Sequence, residues 1–290
     1  MKAFFCNQFQ LKFFITLVII CSATFPGLSS NSTDTKNTHS QQTITQQTII
    51  NNYAGKRPTL RTKIGKENQG IPGLITKFNP RGKKEIILAF DACGGEFDRP
   101  LINFLITNKV PATLFLAGPW LIKHQADLPL LINAKGENGH PLFDLQNHGT
   151  KHQPLFVEKV PTPPYGIQGT QTPSEVYTEI AVNGQTLARL TGKQPHFFRS
   201  GTANYDDVAI AIANLLGYKV VNFTINADAG ATFSKAQILK KMQTAQPGNI
   251  IIAHMNHPEG QTFAGMSAAI KLLQAKGFGF GTLSEHQADF

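Results

Sequence analysis

Two histidines four residues apart, His148 and His152, are the first feature of this sequence that could do chemistry. This spacing brings both imidazoles to one side of a helical turn and suits Zn²⁺ or a similar divalent ion. The spacing alone is a weak signal, but Asn147 and Gly149 mark a break from strand to loop, and Asp91 is expected at an adjacent strand end. We therefore predict a divalent metal site, with Zn²⁺ as the first choice and Co²⁺ as the alternative.

Polar and titratable residues gather where predicted strands end, the position at which parallel sheets carry their chemistry. These residues are Asp91, His148, His152, Arg199, Asp228 and His254. Each alone has an ordinary structural role, since a strand-end Asp often caps the following helix. Six at one edge favour a catalytic site. A metal lowers the pKa of water towards ~7, after which a carboxylate base and a histidine acid complete amide hydrolysis, and Asp91 and His254 fit those two roles.

The elements that position these residues are short apolar runs alternating with longer amphipathic stretches. Strands are predicted at 85–90, 112–117, 142–145, 196–198, 219–223, 249–253 and 278–282, and helices at 100–108, 174–190, 206–216, 235–245 and 263–275. This alternation predicts a parallel sheet, and a closed or nearly closed barrel is favoured over an open doubly wound sheet. No glycine-rich dinucleotide or phosphate loop follows the first predicted strand.

The chain divides into three predicted parts. Residues 1–29 have the pattern of a signal peptide, because Lys2 and Lys12 precede the apolar run 13–23, which is shorter than the ~20 residues of a membrane span. An uncleaved anchor is the alternative. Residues 30–69, which begin with a stretch rich in Ser, Thr, Asn and Gln, are predicted to form a flexible polar tether, and residues 70–290 a single catalytic domain. The protein is therefore expected to be exported, to the periplasm, the cell envelope or the exterior.

Composition restricts the partners. A formal net charge of +9 favours anionic partners, and for an exported protein an anionic cell envelope is the natural one. The sequence has no basic patch interleaved with aromatic residues of the RRM kind and no helix-turn-helix or zinc-finger spacing, so no nucleic-acid partner is expected. It also gives no sign of an obligatory protein partner. With Cys6 and Cys21 in the predicted signal peptide, Cys93 would be the single cysteine of the mature protein, which excludes an internal disulfide.

The motifs and their order resemble those of the polysaccharide deacetylase family, the NodB-homology carbohydrate esterases, from about residue 85 to residue 282. The family opens with a strand ending in Thr-Phe-Asp-Asp-Gly, to which residues 89–95, Ala-Phe-Asp-Ala-Cys-Gly-Gly, are similar. The resemblance implies that Asp91 is the general base. Residues 148–152 look like the family's His-Ser/Thr-x-x-His metal motif, which implies His148 and His152 as metal ligands.

Later motifs extend the resemblance. Residues 198–205, Phe-Arg-Ser-Gly-Thr-Ala-Asn-Tyr, are similar to the family's Arg-Pro-Pro-Tyr/Phe-Gly element, which lines the groove and supports the base through the arginine, here Arg199. Asp228 looks like the aspartate that tunes the catalytic histidine, and residues 252–254 look like the closing Leu-x-His motif, with His254 as general acid. The fold implied is an irregular, incomplete (β/α) barrel of about seven parallel strands.

The sequence departs from the family pattern at the metal site. Ala92 stands where the family has its metal-binding aspartate, which reduces the usual Asp-His-His set to two histidines. Asp91, Asp98, Cys93 or additional water molecules could complete the coordination. Cys93 is chemically suited as a thiolate ligand, although a small residue buried under the following glycine turn is the more common role. The arginine motif also lacks both prolines, and Ala-Gly-Ala follows Asp228 in place of a tryptophan, changes expected to widen the groove.

Four further residues are predicted to contact substrate: Gly94, Gly95, Tyr205 and His257. The glycines would permit positive φ and close backbone approach. The function predicted first is removal of N-acetyl groups from an amino-sugar polymer such as peptidoglycan, a chitin-like glycan or an exopolysaccharide. Two alternatives keep the fold: a carbohydrate-binding pseudoenzyme, and an amidase acting on a small amide that is not a sugar.

Overall fold

The computed structural model describes residues 45–67 and 70–290 of the 290-residue chain. The predicted signal peptide and the first part of the predicted tether lie outside the described residues. Within the described residues, no helix combines the length and the apolar character needed to cross a membrane.

The described residues form nine strands and eight α-helices, and strands and helices alternate along most of the chain. The strands are β1 (Leu74–Ile75), β2 (Glu85–Ala92), β3 (Ala112–Leu116), β4 (Phe143–Asn147), β5 (Phe197–Phe198), β6 (Lys219–Val221), β7 (Ile225–Asn226), β8 (Ile250–His254) and β9 (Gly279–Gly281). The helices are α1 (Gln46–Tyr53), α2 (Arg99–Thr107), α3 (Gly118–His124), α4 (Leu128–Asn133), α5 (Pro173–Thr191), α6 (Asp207–Leu215), α7 (Lys235–Met242) and α8 (Thr262–Ala275).

All named strands belong to one sheet, and their pairings are all parallel. The order is β1-β6-β5-β4-β3-β2-β8-β7, and β9 pairs with β2 outside this path. This architecture confirms the predicted incomplete (β/α) barrel. Each of the seven predicted strands overlaps an observed one, while the two-residue strands β1 and β7 were not predicted.

Strand β2 is apolar on both faces because the sheet is covered on both sides. Ile86, Leu88 and Phe90 pack in the cluster that contains the buried side chains of α2, α7 and α8. Ile87 and Ala89 pack in the interior cluster on the other face of the strand. Successive side chains of a strand point to opposite faces, so Asp91 continues the interior face at the end of β2.

The structure corrects the predicted extent of the tether. Helix α1 lies within the stretch 30–69 that we expected to be flexible, yet its Ile49 is fully buried against α5 and α6 residues of the second apolar cluster. Gln46 donates a hydrogen bond to the hydroxyl of Ser174, at 2.7 Å, and the buried Thr62 accepts one from the backbone N–H of Tyr205, at 2.8 Å. Residues 45–67 therefore pack as part of the domain, because Ile49 and Tyr53 of α1 contact the second apolar cluster and polar residues of the segment are hydrogen-bonded to the rest of the domain.

Candidate active site

The register of the sheet brings the predicted catalytic pair together. Strands β2 and β8 are neighbours, and Asp91 is paired directly with His254. Across β3, Leu116 is the partner of both Ala92 and Asn147, so His148 follows at the same level. We call this end of β2, β4 and β8 the carboxyl edge.

Asp91 is held by a buried ion pair. Its Oδ1 accepts a hydrogen bond from Nη1 of Arg199 at 2.6 Å, and both side chains are almost completely inaccessible to solvent. The remaining guanidinium donors bind the backbone carbonyls of Val221 at 3.3 Å and Asn222 at 3.0 Å. The guanidinium also lies over the ring of Phe115, 4.3 Å from its centroid. This fixes the orientation of Asp91 and leaves its Oδ2 free on the side of His148, whose Nε2 is 3.4 Å away.

The two predicted metal ligands are adjacent, with ring centroids of His148 and His152 4.8 Å apart. Nδ1 of His148 lies 2.9 Å from the backbone oxygen of Arg199, which can only accept, so Nδ1 carries the proton and Nε2 presents its lone pair. Burial lowers the pKa of His148 despite the nearby Asp91 carboxylate. A neutral imidazole with its second nitrogen held by a carbonyl is the usual state of a metal-binding histidine.

A buried glutamate on α5 shapes the loop between these histidines. Glu179 accepts hydrogen bonds from the backbone N–H groups of Lys151 and Gln153, both at 2.9 Å. Gly149 adopts φ 89°, and a Cβ there would lie 2.3 Å from a carboxylate oxygen of Glu179. Burial raises the pKa of Glu179 to about 7, against the effect of these hydrogen bonds. The sequence analysis missed Glu179, because a glutamate in the middle of an amphipathic helix carries no local sign of such a contact.

Cys93 joins the histidines at the carboxyl edge. Its Sγ is 3.6 Å from Nε2 of His148, and the possible ligand atoms of Cys93, His148 and His152 all lie within 4.8 Å of one another. Burial raises the pKa of the Cys93 thiol, but the charges and hydrogen bonds of His152 and His254 outweigh burial and lower it to about 7. The described residues thus contain a Cys/His group able to hold a metal ion.

His254 is held by Asp228 on the opposite side of the site. Oδ1 of Asp228 lies 2.9 Å from Nδ1 of His254, and Oδ2 accepts from the backbone N–H of His254 at 2.8 Å and from the hydroxyl of Thr262 at 2.9 Å. Burial would lower the pKa of His254, but the Asp228 carboxylate raises it well above the ordinary histidine value. Burial likewise opposes the charge of Asp228, whose pKa is nevertheless lowered by the imidazolium and these hydrogen bonds. Asp228 therefore favours the protonated form of His254.

The structure contradicts the prediction that Tyr205 contacts substrate. Its side chain is fully buried, and its hydroxyl accepts from the backbone N–H of Ser200 at 2.8 Å and faces the carbonyl of Val221 at 3.3 Å. Burial raises the pKa of Tyr205 to about 12. Tyr205 follows the 3₁₀ turn at 201–203 and packs into the core. Through Ser200 it holds the segment next to Arg199, and its side chain is not available to a substrate.

The predicted glycine contacts have a different basis from the one expected. Neither Gly94 nor Gly95 adopts positive φ. A Cβ on Gly95 would lie 2.1 Å from the backbone oxygen of Asn256, so the close approach is to the protein's own loop. His257 is exposed and lies 2.8 Å from Glu259. Contact of Gly94, Gly95 and His257 with a substrate stays a prediction.

Comparison with known proteins identifies the domain. A family model described as polysaccharide deacetylase matches residues 78–221, a range that contains Asp91, His148, His152 and Arg199. The chain contains a domain of the polysaccharide deacetylase family. Asp228 and His254 of the deacetylase domain lie beyond the matched range.

Individual relatives of this deacetylase domain are distant. The peptidoglycan-N-acetylglucosamine deacetylase of Bacillus cereus is 25% identical over 225 residues, covering 72% of this chain and 73% of the relative. A solved structure of a peptidoglycan N-acetylglucosamine deacetylase has a TM-score of 0.60 at 21% identity, over 74% of this chain and 92% of that one. A CE4 family pseudoenzyme from Bacillus anthracis has a TM-score of 0.59 at 19% identity, over 76% and 70%. The structural likenesses establish the fold, which an active enzyme and a pseudoenzyme share.

Proposed function

We propose that this protein is an exported, metal-dependent deacetylase that removes N-acetyl groups from an amino-sugar polymer. The observation that carries the proposal is the pairing of Asp91 with His254 across β2 and β8, each oriented by its own buried partner. The name of the relative from Bacillus cereus supports N-acetylglucosamine units of peptidoglycan as the substrate class. The signal-like N-terminus and the net charge of +9 support an anionic envelope as the place of action.

The donor set at the carboxyl edge fits a divalent ion. His148 is neutral with its Nε2 lone pair directed to the site, and His152 and Cys93 complete a group of nitrogen and sulfur donors, which suits Zn²⁺ or Co²⁺. When bound, such an ion would supply Lewis-acid polarisation to the acetamide group and to water.

The chain's own residues provide the proton transfers. Asp91 accepts the proton of the attacking water at Oδ2, because Oδ1 is engaged by Arg199. The Asp228 carboxylate engages Nδ1 of His254 and raises its pKa, which favours the imidazolium, and the Nε2–H of His254 donates to the leaving amine nitrogen. Its side chain is 14% exposed, so the imidazole is not sealed from solvent.

The test is acetate release from N-acetylated chito-oligosaccharides and from peptidoglycan, with and without chelator. We expect chelator-sensitive release that falls about 100-fold or more in Asp91→Asn and in His254→Ala, the range for loss of a general base or acid. His140→Ala, an exposed histidine outside the site, is the matched control and should keep full activity. Acetate release that persists unchanged in both site variants would refute the assignment.

A carbohydrate-binding pseudoenzyme is the second candidate, and Ala92 is the observation that favours it. The carboxylate that the family uses as a metal ligand is missing, and one structural relative is a pseudoenzyme. Retention of both oriented proton-transfer residues argues for the enzyme, since binding alone needs neither. Sugar binding without acetate release from any of these substrates would select the pseudoenzyme.

A further inference from the structure

With alanine at position 92, the metal site must take its third protein ligand from another residue. The Ala92 position itself is unsuited, because alternation along β2 places its side chain on the face opposite Asp91, in the apolar cluster with Phe90 and Leu116. Ala92 is fully buried there. A carboxylate at this position would have to be buried among apolar side chains, which costs free energy unless the ion itself compensates the charge.

Two carboxylates near the site, those of Asp98 and Asp91, already have other roles. Oδ1 of Asp98 accepts a hydrogen bond from the backbone N–H of Leu101 at 3.0 Å and caps the first turn of α2. Oδ1 of Asp91 is bound by Arg199, and its Oδ2 is the atom proposed to accept the proton of water. Asp91 also does not belong to the group of ligand atoms that lie within 4.8 Å of one another. Each of these carboxylates therefore has a role that metal coordination would disrupt.

Cys93 has no such competing role. It lies directly after β2, it is partly buried, and it is a free cysteine. Its Sγ lies 3.6 Å from Nε2 of His148, the atom whose lone pair would also bind the ion, and its other polar neighbours are His152 and His254. An ion placed between these atoms would replace a weak S–H···N contact by two coordinate bonds without requiring a change of fold.

We propose that Cys93 is the third protein ligand of a Cys-His-His site with His148 and His152, and that its thiolate replaces the carboxylate used elsewhere in the family. The metal dependence itself rests on the proposed function. Thiolate is a softer donor than carboxylate, so the site selects Zn²⁺, Co²⁺ and Cd²⁺ over Mg²⁺ and Mn²⁺.

The test is Co²⁺ titration of the metal-free full-length protein, followed by absorption spectroscopy. Coordination by a thiolate gives a sulfur-to-cobalt charge-transfer band in the near ultraviolet, in addition to the visible bands of the Co²⁺ ion. We expect this band in the wild type, and its loss in Cys93→Ser and in Cys93→Asp. We further expect Co²⁺ affinity to fall about 10-fold or more in Cys93→Ser, the lower end of what disturbed metal sites lose. Thermal melting of each variant without metal checks that the fold is retained.

Two outcomes would overturn the proposal. The first is Co²⁺ bound by the wild type without a charge-transfer band, or with a band and an affinity that Cys93→Ser leaves unchanged. The second is a gain of Co²⁺ affinity in Ala92→Asp, which would show that position 92 faces the ion and would remove the premise that a carboxylate there is misplaced.

The acetate assay separates this inference from the proposed function. Chelator-sensitive acetate release without the charge-transfer band would leave the deacetylase intact and refute only the thiolate ligand. The band without acetate release would support the thiolate ligand and refute the enzyme.

Discussion

Replacing Arg199 by methionine is expected to lower the free energy of unfolding by about 3–5 kcal/mol, the usual cost of removing one partner of a buried ion pair. Methionine keeps much of the length and apolar contact of the arginine stem but none of its donors. The substitution would leave the buried Asp91 carboxylate without its cation, and the carbonyls of Val221 and Asn222 without a donor.

The losses at Asp91, Val221 and Asn222 come from one guanidinium, so their free-energy costs overlap and do not add. Each orphaned carbonyl costs about 1–3 kcal/mol. A total in the range of the buried pair alone is therefore expected.

The assay is urea denaturation of metal-free protein at pH 7 in the presence of chelator, since a bound ion would add its own stabilisation. Arg189→Met, on the exposed face of α5, is the matched control and should change stability by about 0.5 kcal/mol or less. The double variant with Asp91→Asn should recover part of the loss, because no buried charge is then left unpaired. A loss below about 1 kcal/mol for Arg199→Met would refute the reasoning.

Two further predictions concern the partners of the site histidines. In Asp228→Asn, loss of the carboxylate lowers the pKa of His254, so the alkaline limb of the pH profile of kcat/KM should move to lower pH. The limb moves in this direction because His254 must be protonated to act as the acid, so activity is lost as the pH rises through its pKa. In Gly149→Ala, the added Cβ meets Glu179 at 2.3 Å on a backbone at φ 89°, so thermal melting should occur several degrees lower and Co²⁺ affinity should fall.

Control variants separate these two effects from general consequences of removing a carboxylate or a glycine. Glu259→Gln, which removes an exposed carboxylate from His257, should leave the alkaline limb in place. An Asp228→Asn profile identical to that of the wild type would contradict the effect of Asp228 on the pKa of His254. Gly55→Ala, at positive φ but with no atom within 4 Å of the added Cβ, is the control for Gly149→Ala. Equal melting temperatures of the two glycine variants would contradict the role given to Glu179.

The sequence predicted the sheet well because its central strands are buried on both faces and stand out as continuous apolar runs, as in β2 and β8. Short elements escaped prediction. Helices α3 and α4 have seven and six residues, too few for their periodicity to be distinguished, and α1 depends on the tertiary burial of Ile49.

The site was predicted where a residue's place along a strand determines its place in space. Asp91 and His254 end strands, and parallel strands share an edge, so their proximity followed from the pattern alone. Glu179 lies within a helix, and its contact with the histidine loop depends on how α5 packs. Tyr205 was assigned by motif similarity, and its burial depends on a 3₁₀ turn whose direction the motif does not specify.

The pairing of β2 with both β8 and β9 has a consequence for the order in which the molecule is built. Strand β2 meets β3 soon after it in the chain, but its other partners come from the far end. Contacts between segments so distant in sequence form slowly and only once both segments are present. While the chain is being synthesised, Asp91 is therefore available long before His254, and the two can meet only when the last strands have been added. A partly made chain contains Asp91 without His254, so the pair that we propose for proton transfer is completed only when the last strands are present.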